Sequence, residues 1–174
     1  MTFANRTLVI GGAASGKSRY AEEIALKSAR SKVYVATAQV FDDEMAEKVQ
    51  KHKLQRGDNW HTVEAPFDLC PTLDAARPDQ VVLVDCLTLW LTNHILAEHD
   101  IESETAKLVD AVTRCGAPVI LVTNEVGAGI VPESALARRF RNAQGRLNQT
   151  MAVHCDHVIT VIAGLPMTLK GPSP

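Results

Sequence analysis

The sequence is short of paired cysteines. Its four, Cys70, Cys86, Cys115 and Cys155, are scattered and form no CxxC pair. That spacing argues against a zinc site or a disulfide framework and for free thiols in a reducing compartment. There is no excess of charge of one sign either, the formal net charge being -2. No face is therefore expected to bind nucleic acid or anionic lipid through bulk charge. Long apolar runs are missing too. The longest apolar region, Val81 to Leu96, is interrupted by Asp85, Thr88, Thr92, Asn93 and His94, too often for a membrane span. The opening MTFANRTLVIGG leads directly into a strand pattern, leaving no room for a signal peptide. A cytoplasmic chain without membrane insertion is the expectation. With no internal repeat, low-complexity tract or linker, the 174 residues read as one domain, 1–174.

What is present is an alternation. Thr7–Ile10, Val33–Thr37, Val81–Asp85, Pro118–Thr123 and His157–Ile162 are short, β-branched, continuous apolar runs, the pattern of strands buried on both faces. Helical patterns lie between them, near Lys17–Arg30, Asp42–Leu54, Leu87–Glu98, Glu102–Cys115 and Pro132–Val153. Such alternation predicts an α/β fold, a mostly parallel sheet with helices on both faces. His61–Glu64 is a candidate edge strand. The Pro-containing stretch from Gln55 to Pro78 reads as loop with a short helix. The last helix should bury Leu136, Phe140, Ala143, Leu147 and Met151. Its opposite face carries Arg138, Asn142, Arg146 and Gln149, either as a solvated face or as a surface for a ligand or neighbouring subunit.

Between the first strand and first helix lies GGAASGKS, comprising Gly11, Gly12, Ala13, Ala14, Ser15, Gly16, Lys17 and Ser18. Its spacing is that of a phosphate loop, placed where the motif requires it. Glycines let backbone N–H groups wrap around phosphates, and the helix N-terminus adds partial positive charge. Lys17 would reach the β- and γ-phosphates, and Ser18 would offer a hydroxyl to Mg2+. The bland alternative is a plain Gly-rich turn. In VVLVDC, Asp85 ends an apolar strand, where a carboxylate is costly unless a cation or donor meets it. It would hold Mg2+ with Ser18, or else cap the helix that follows.

A second region, FDDEMAEKVQKHK, opens with acidic residues suited to a helix N-terminus. Met45, Val49 and His52 fall on one stripe, with Lys53 and Arg56 nearby. A lone histidine on an apolar stripe is by default a core residue. A neutral imidazole can also attack phosphorus, with neighbouring cations stabilising the charge that develops. His61, His94, His99, His154 and His157 have no comparable setting.

Four blocks in order carry a resemblance over almost the whole chain: GGAASGKSRYAE, ATAQVFDDEMAEKVQKHK, VLVDCLT, and VTNEVGAGIVPESALARRFRNAQGRLNQ. Together they resemble the bifunctional adenosylcobinamide kinase/adenosylcobinamide-phosphate guanylyltransferases of cobalamin biosynthesis. The resemblance implies a single RecA-like P-loop NTPase domain that phosphorylates adenosylcobinamide with ATP or GTP. GMP would then pass from GTP to adenosylcobinamide phosphate through a guanylyl-histidine. It places the nucleophile on His52, with Lys17 assisting, and the triphosphate on Gly11–Ser18. Ala36, Thr37, Ala38, Lys53, Arg56, Glu64 and Asp85 would complete the nucleotide site, with Mg2+ on Ser18 and Asp85. A homotrimer is implied as well. Two departures stand out: Ala14 occupies a place where members often have Arg, and Lys51–His52 replaces a frequent pair of histidines. A kinase-only enzyme and a nucleotide-dependent switch or assembly ATPase are the rival readings. The chain lacks the NKxD pattern of GTPases.

Overall fold

The computed structural model describes residues 4–39 and 59–172. The helix expected at Asp42–Leu54, and with it His52, Lys53 and Arg56, lies outside the described residues. Strands run over Arg6–Gly11 (β1), Ser31–Ala36 (β2), Trp60–Glu64 (β3), Gln80–Asp85 (β4), Val119–Asn124 (β5), His157–Ile162 (β6) and Leu165–Lys170 (β7). They form one sheet in the order β3-β2-β4-β5-β1-β6-β7. Neighbours are parallel except β6 and β7. The central strands β4 and β5 are buried almost end to end, which explains why they read as unbroken apolar runs.

Helices are Lys17–Lys27 (α1), Cys70–Asp74 (α2), Leu87–Leu96 (α3), Ile101–Arg114 (α4) and Ala135–His154 (α5). Among the described residues, helix α1 packs across β1, β5, β4 and β6 on one face, with the small side chains Ala21 and Ala25 buried. Small residues let its backbone lie close to the sheet. The other face carries the larger core. Leu73 of α2, Leu87, Trp90 and Leu91 of α3, Leu108 of α4, and Leu147 and Met151 of α5 pack there on Leu8, Val84, Leu121 and Val158. Burying each large aliphatic side chain contributes roughly 1.5–3 kcal/mol, so among the described residues this face holds most of the apolar stabilisation.

Expected and observed elements differ in three places. The edge strand β7 was not anticipated. Its sequence LPMTLK contains Pro166, and Leu165, Met167 and Leu169 remain exposed, so it lacks the signature of a buried strand. Helix α5 starts at Ala135 and not at Pro132. Ser134 is its N-cap, its hydroxyl oxygen accepting from the Ala137 N–H at 3.4 Å, which satisfies a donor left free in the first turn. Leu136 is 51% exposed, contrary to the core role read from its spacing. A 20-residue helix spans about 30 Å, longer than a six-residue strand of about 20 Å. Its first turn therefore overhangs the sheet.

Candidate nucleotide site

The C-terminal ends of the parallel strands form one edge, where open α/β sheets place ligands. Gly11 ends β1 there, and the phosphate loop turns directly into α1. Gly16 is the N-cap of α1 with φ 91°, a left-handed conformation suited to glycine. The first turn of α1 has neither a side-chain cap nor an acidic residue. Its N–H groups are thus left for an anion, with the helix dipole behind them. Ala14 also lies at positive φ, 54°, a conformation that costs an alanine of order 1 kcal/mol. Gly11 is required by close approach: a Cβ there would lie 2.4 Å from Ser15 Oγ and 2.7 Å from the Val161 carbonyl oxygen. The Gly164 N–H donates to the Ser15 carbonyl at 2.8 Å, tying the β6–β7 turn to the loop.

Lys17 Nζ donates to the Gly12 carbonyl at 3.1 Å, which holds the ammonium over the loop. Ser18 Oγ lies 3.5 Å from Asp85 Oδ1, and Tyr34 Oη donates to Asp85 Oδ2 at 2.9 Å. The carboxylate therefore reaches across the sheet to α1 and does not cap α3, whose N-cap is Cys86. Tyr34 was missed in the sequence reading. It looks like an apolar strand residue, and only the pairing of β2 with β4 brings its hydroxyl beside Asp85.

Thr37 is fully buried. Its hydroxyl donates to the Cys86 carbonyl at 2.7 Å and accepts from the Cys86 N–H at 2.8 Å. Asn93 Nδ2 donates to the Thr37 carbonyl at 2.8 Å. The Ala36–Ala38 segment is thus stitched to the Asp85–Cys86 segment, and the Thr37 side chain is committed to that tie. Glu64 ends β3 beside Ala36, placing it on the same sheet edge but at its far side.

His94 and the cysteines lie away from this edge or are buried beside it. His94 is buried. Its Nε2 meets the Phe67 carbonyl oxygen at 3.2 Å, and its Nδ1 meets His99 Nδ1 at 2.9 Å. Burial holds its pKa below the ordinary imidazole value. All four cysteines are free. Burial, reinforced by the Asp85 charge, pushes the Cys86 thiol up to about 11, and burial pushes Cys155 up to about 12. Both stay protonated near neutral pH and are poor nucleophiles. A cavity of about 510 Å³ between α4 and α5, lined in part by Arg139 and Arg146, shares no residue with the phosphate-loop edge.

The donor set fits Mg2+. Ser18 and Asp85 offer hard oxygens, as that ion requires. Among the described residues no group of three or more His, Cys, Asp or Glu side chains could hold a metal.

Strand order, phosphate loop and the Ser18–Asp85 pair define a P-loop nucleoside triphosphate-binding protein of the RecA-like α/β class. The solved structure of the flagellar accessory protein FlaH from Methanocaldococcus jannaschii shares this fold. It superposes with a TM-score of 0.53 at 14% identity, over 96% of this chain and 78% of that one. Residues 7–169 match the family described as cobinamide kinase / cobinamide phosphate guanyltransferase, and the chain belongs to that family. It is 43% identical over 169 residues to the bifunctional adenosylcobalamin biosynthesis protein CobP of Pseudomonas aeruginosa, covering 95% of this chain and 98% of that protein. Identity is also 43% over 180 residues with the bifunctional adenosylcobalamin biosynthesis protein CobU of Salmonella typhimurium, covering 94% and 98%.

Proposed function

We propose that this enzyme phosphorylates adenosylcobinamide with ATP or GTP and then transfers GMP from GTP to the product. Adenosylcobinamide-GDP results, a step in assembling the nucleotide loop of cobalamin. The observation that carries this reading is the family match over residues 7–169 in a chain whose bare α1 N-terminus, Lys17, Ser18 and Asp85 share one sheet edge.

In the kinase half, the N–H groups of Gly11–Ser18 hold the triphosphate and Lys17 draws charge from its terminal phosphates. Ser18 and Asp85 hold Mg2+, which when bound neutralises charge on the phosphoryl oxygens and orients them. Tyr34 keeps the Asp85 carboxylate turned toward Ser18. In the transferase half, neutral His52 is the nucleophile. It bonds to the α-phosphorus as the bond to pyrophosphate breaks, with Lys17 and the loop N–H groups stabilising the leaving group. A phosphate oxygen of the corrinoid then takes GMP, and His52 departs neutral. Ala36, Thr37, Ala38, Lys53, Arg56 and Glu64 complete the nucleotide site. A cytoplasmic homotrimer is the working form of this proposal.

GTP labelled at the α-phosphate tests it. The label is expected to stay on the denatured wild-type protein, to survive base and to be lost in acid. His52→Ala should abolish labelling while phosphorylation of adenosylcobinamide persists. A wild-type protein that phosphorylates the corrinoid but takes up no label is a kinase alone, and the transferase half then fails.

A further inference from the structure

We propose that the connection between β5 and α5 is the bed for the corrin ring of the acceptor, formed by Ile130 and Val131 at its tip and by Leu136 in the first turn of α5. The inference rests on the function proposed above and says where the bulk of that substrate lies. The connection leaves the sheet beside the phosphate loop. Asn124, the last residue of β5, pairs with Gly11, and the following N–H, that of Glu125, donates to the Gly11 carbonyl at 3.0 Å. A hydroxyl that attacks a triphosphate held by the phosphate loop has to arrive at this edge of the sheet. The body that carries the hydroxyl must then rest on a surface next to it.

Ile130 is 97% exposed, Val131 59% and Leu136 51%. Single exposed apolar side chains need no explanation, but three large ones within seven residues at a ligand edge do. The tip, residues 128–131, has no polar side chain at all, unusual for a surface connection. Nor is the connection left loose. At its root the Asn124 N–H donates to Thr88 Oγ1 at 2.8 Å, and the Asn124 carbonyl accepts from Asn148 Nδ2 at 3.0 Å. Asn148 Oδ1 accepts in turn from Thr123 Oγ1 at 2.7 Å and from Gln144 Nε2 at 2.9 Å. Farther along, Arg141 of α5 donates to the Gly127 carbonyl, and Arg138 donates to the Pro132 carbonyl at 3.0 Å and to that of Glu133. Two guanidinium groups thus fasten the backbone on either side of the apolar tip. A surface set before binding loses less conformational freedom when a ligand arrives.

A corrinoid suits this bed in chemistry and in size. Its macrocycle is a broad, methyl-studded disc rimmed with amides, so it needs apolar contact across a face and little charge. Aliphatic side chains supply that contact by removing the face of the disc from water, while the amides stay hydrated at the rim. The tip itself carries no charge to draw an anion. Three aliphatic side chains expose on the order of a few hundred Å². That area covers part of one face of such a disc and falls short of the roughly 1,200 Å² that a specific contact between protein chains buries. The ring lies on the bed, and its aminopropanol arm, which carries the hydroxyl, extends from it to the phosphate loop.

The full-length double variant Ile130→Ser, Val131→Ser tests this against the conservative Ile130→Val, Val131→Ile. The first readout is equilibrium dialysis of adenosylcobinamide, whose colour reports its binding without turnover. Affinity is expected to fall about 30-fold in the serine variant, as when two aliphatic side chains lose part of their burial, and to stay within about threefold of wild type in the conservative one. KM for the corrinoid should rise by the same factor, with affinity for ATP unchanged. Light scattering and thermal melting are run alongside. A serine variant whose corrinoid affinity stays within about threefold of wild type overturns the proposal. So does a change in native mass, which assigns the apolar tip to a contact between copies of the chain. A fall in Tm overturns it too, because it assigns the tip to packing within the chain. A wild-type protein that binds the corrinoid without phosphorylating it refutes the function proposed above, while dialysis of the variants still decides the bed. A wild-type protein that does not bind the corrinoid overturns both.

Discussion

The first turn of α4 is closed by its own sequence. Asp100 is the N-cap, and its carboxylate accepts from the N–H groups of Glu102 at 3.1 Å and Ser103 at 3.3 Å, with Glu102 and Glu104 adding negative charge. The first turn of α1 has none of this. A left-handed Gly16 stands where a cap would be, and Lys17 and Ser18 follow in place of acids. Both turns leave the same backbone donors free of intrahelical partners. In α4 those donors contribute to stability; in α1 they are open to an anion. Helix α3 also starts without a side-chain cap or an acid, so the bare turn of α1 marks a candidate site only together with the glycine-rich loop, Lys17 and Ser18.

Three changes probe that contrast. The largest effect is expected for Lys17→Ala, which removes the ammonium over the bare turn. Turnover in the kinase step should fall on the order of 1000-fold, while Tm stays near wild type, because the Nζ bond to Gly12 is a partly exposed local contact. A steady-state assay paired with thermal melting checks it, and a large fall in Tm would assign Lys17 to the fold. Next comes Gly11→Ala. Ser15 can rotate away from the new methyl, but the Val161 carbonyl belongs to the neighbouring strand and must move with its backbone. Displacing the loop in this way should lower turnover about 100-fold, with nucleotide binding weakened in a titration. The smallest effect belongs to Asp100→Ala at the capped turn. It should cost about 1 kcal/mol in urea denaturation and leave phosphorylation of the corrinoid at the wild-type rate. A turnover loss there would erase the distinction between the two helix starts.

Much of this was legible in the chain itself. β1, β2, β4, β5 and β6 announce themselves because strands buried on both faces must be apolar throughout, and the phosphate loop because its glycines answer to local backbone geometry. Asp85 was noticed for a related reason, a carboxylate ending an apolar run. Ser18 was paired with it through the motif, but Tyr34 was not, since it comes from another strand and reads as an apolar residue. β7 escaped notice because an exposed edge strand has no buried side to leave a periodic trace. Pro132 suggested a helix start that Ser134 makes, both being residues common at helix beginnings. Asn124 looked like the end of an ordinary strand.

The sequence by itself determined the alternation of strands and helices, the phosphate loop and the family to which the chain belongs, because these rest on local periodicity and on residues contiguous in the chain. Only the tertiary structure decided that β5 is inserted between β1 and β4, that the Tyr34 hydroxyl meets Asp85, and that a buried polar network gathers at the end of β5. Strand order is set by how the helices pack to cover both faces of the sheet. That packing is a property of the whole core, and no single segment encodes it.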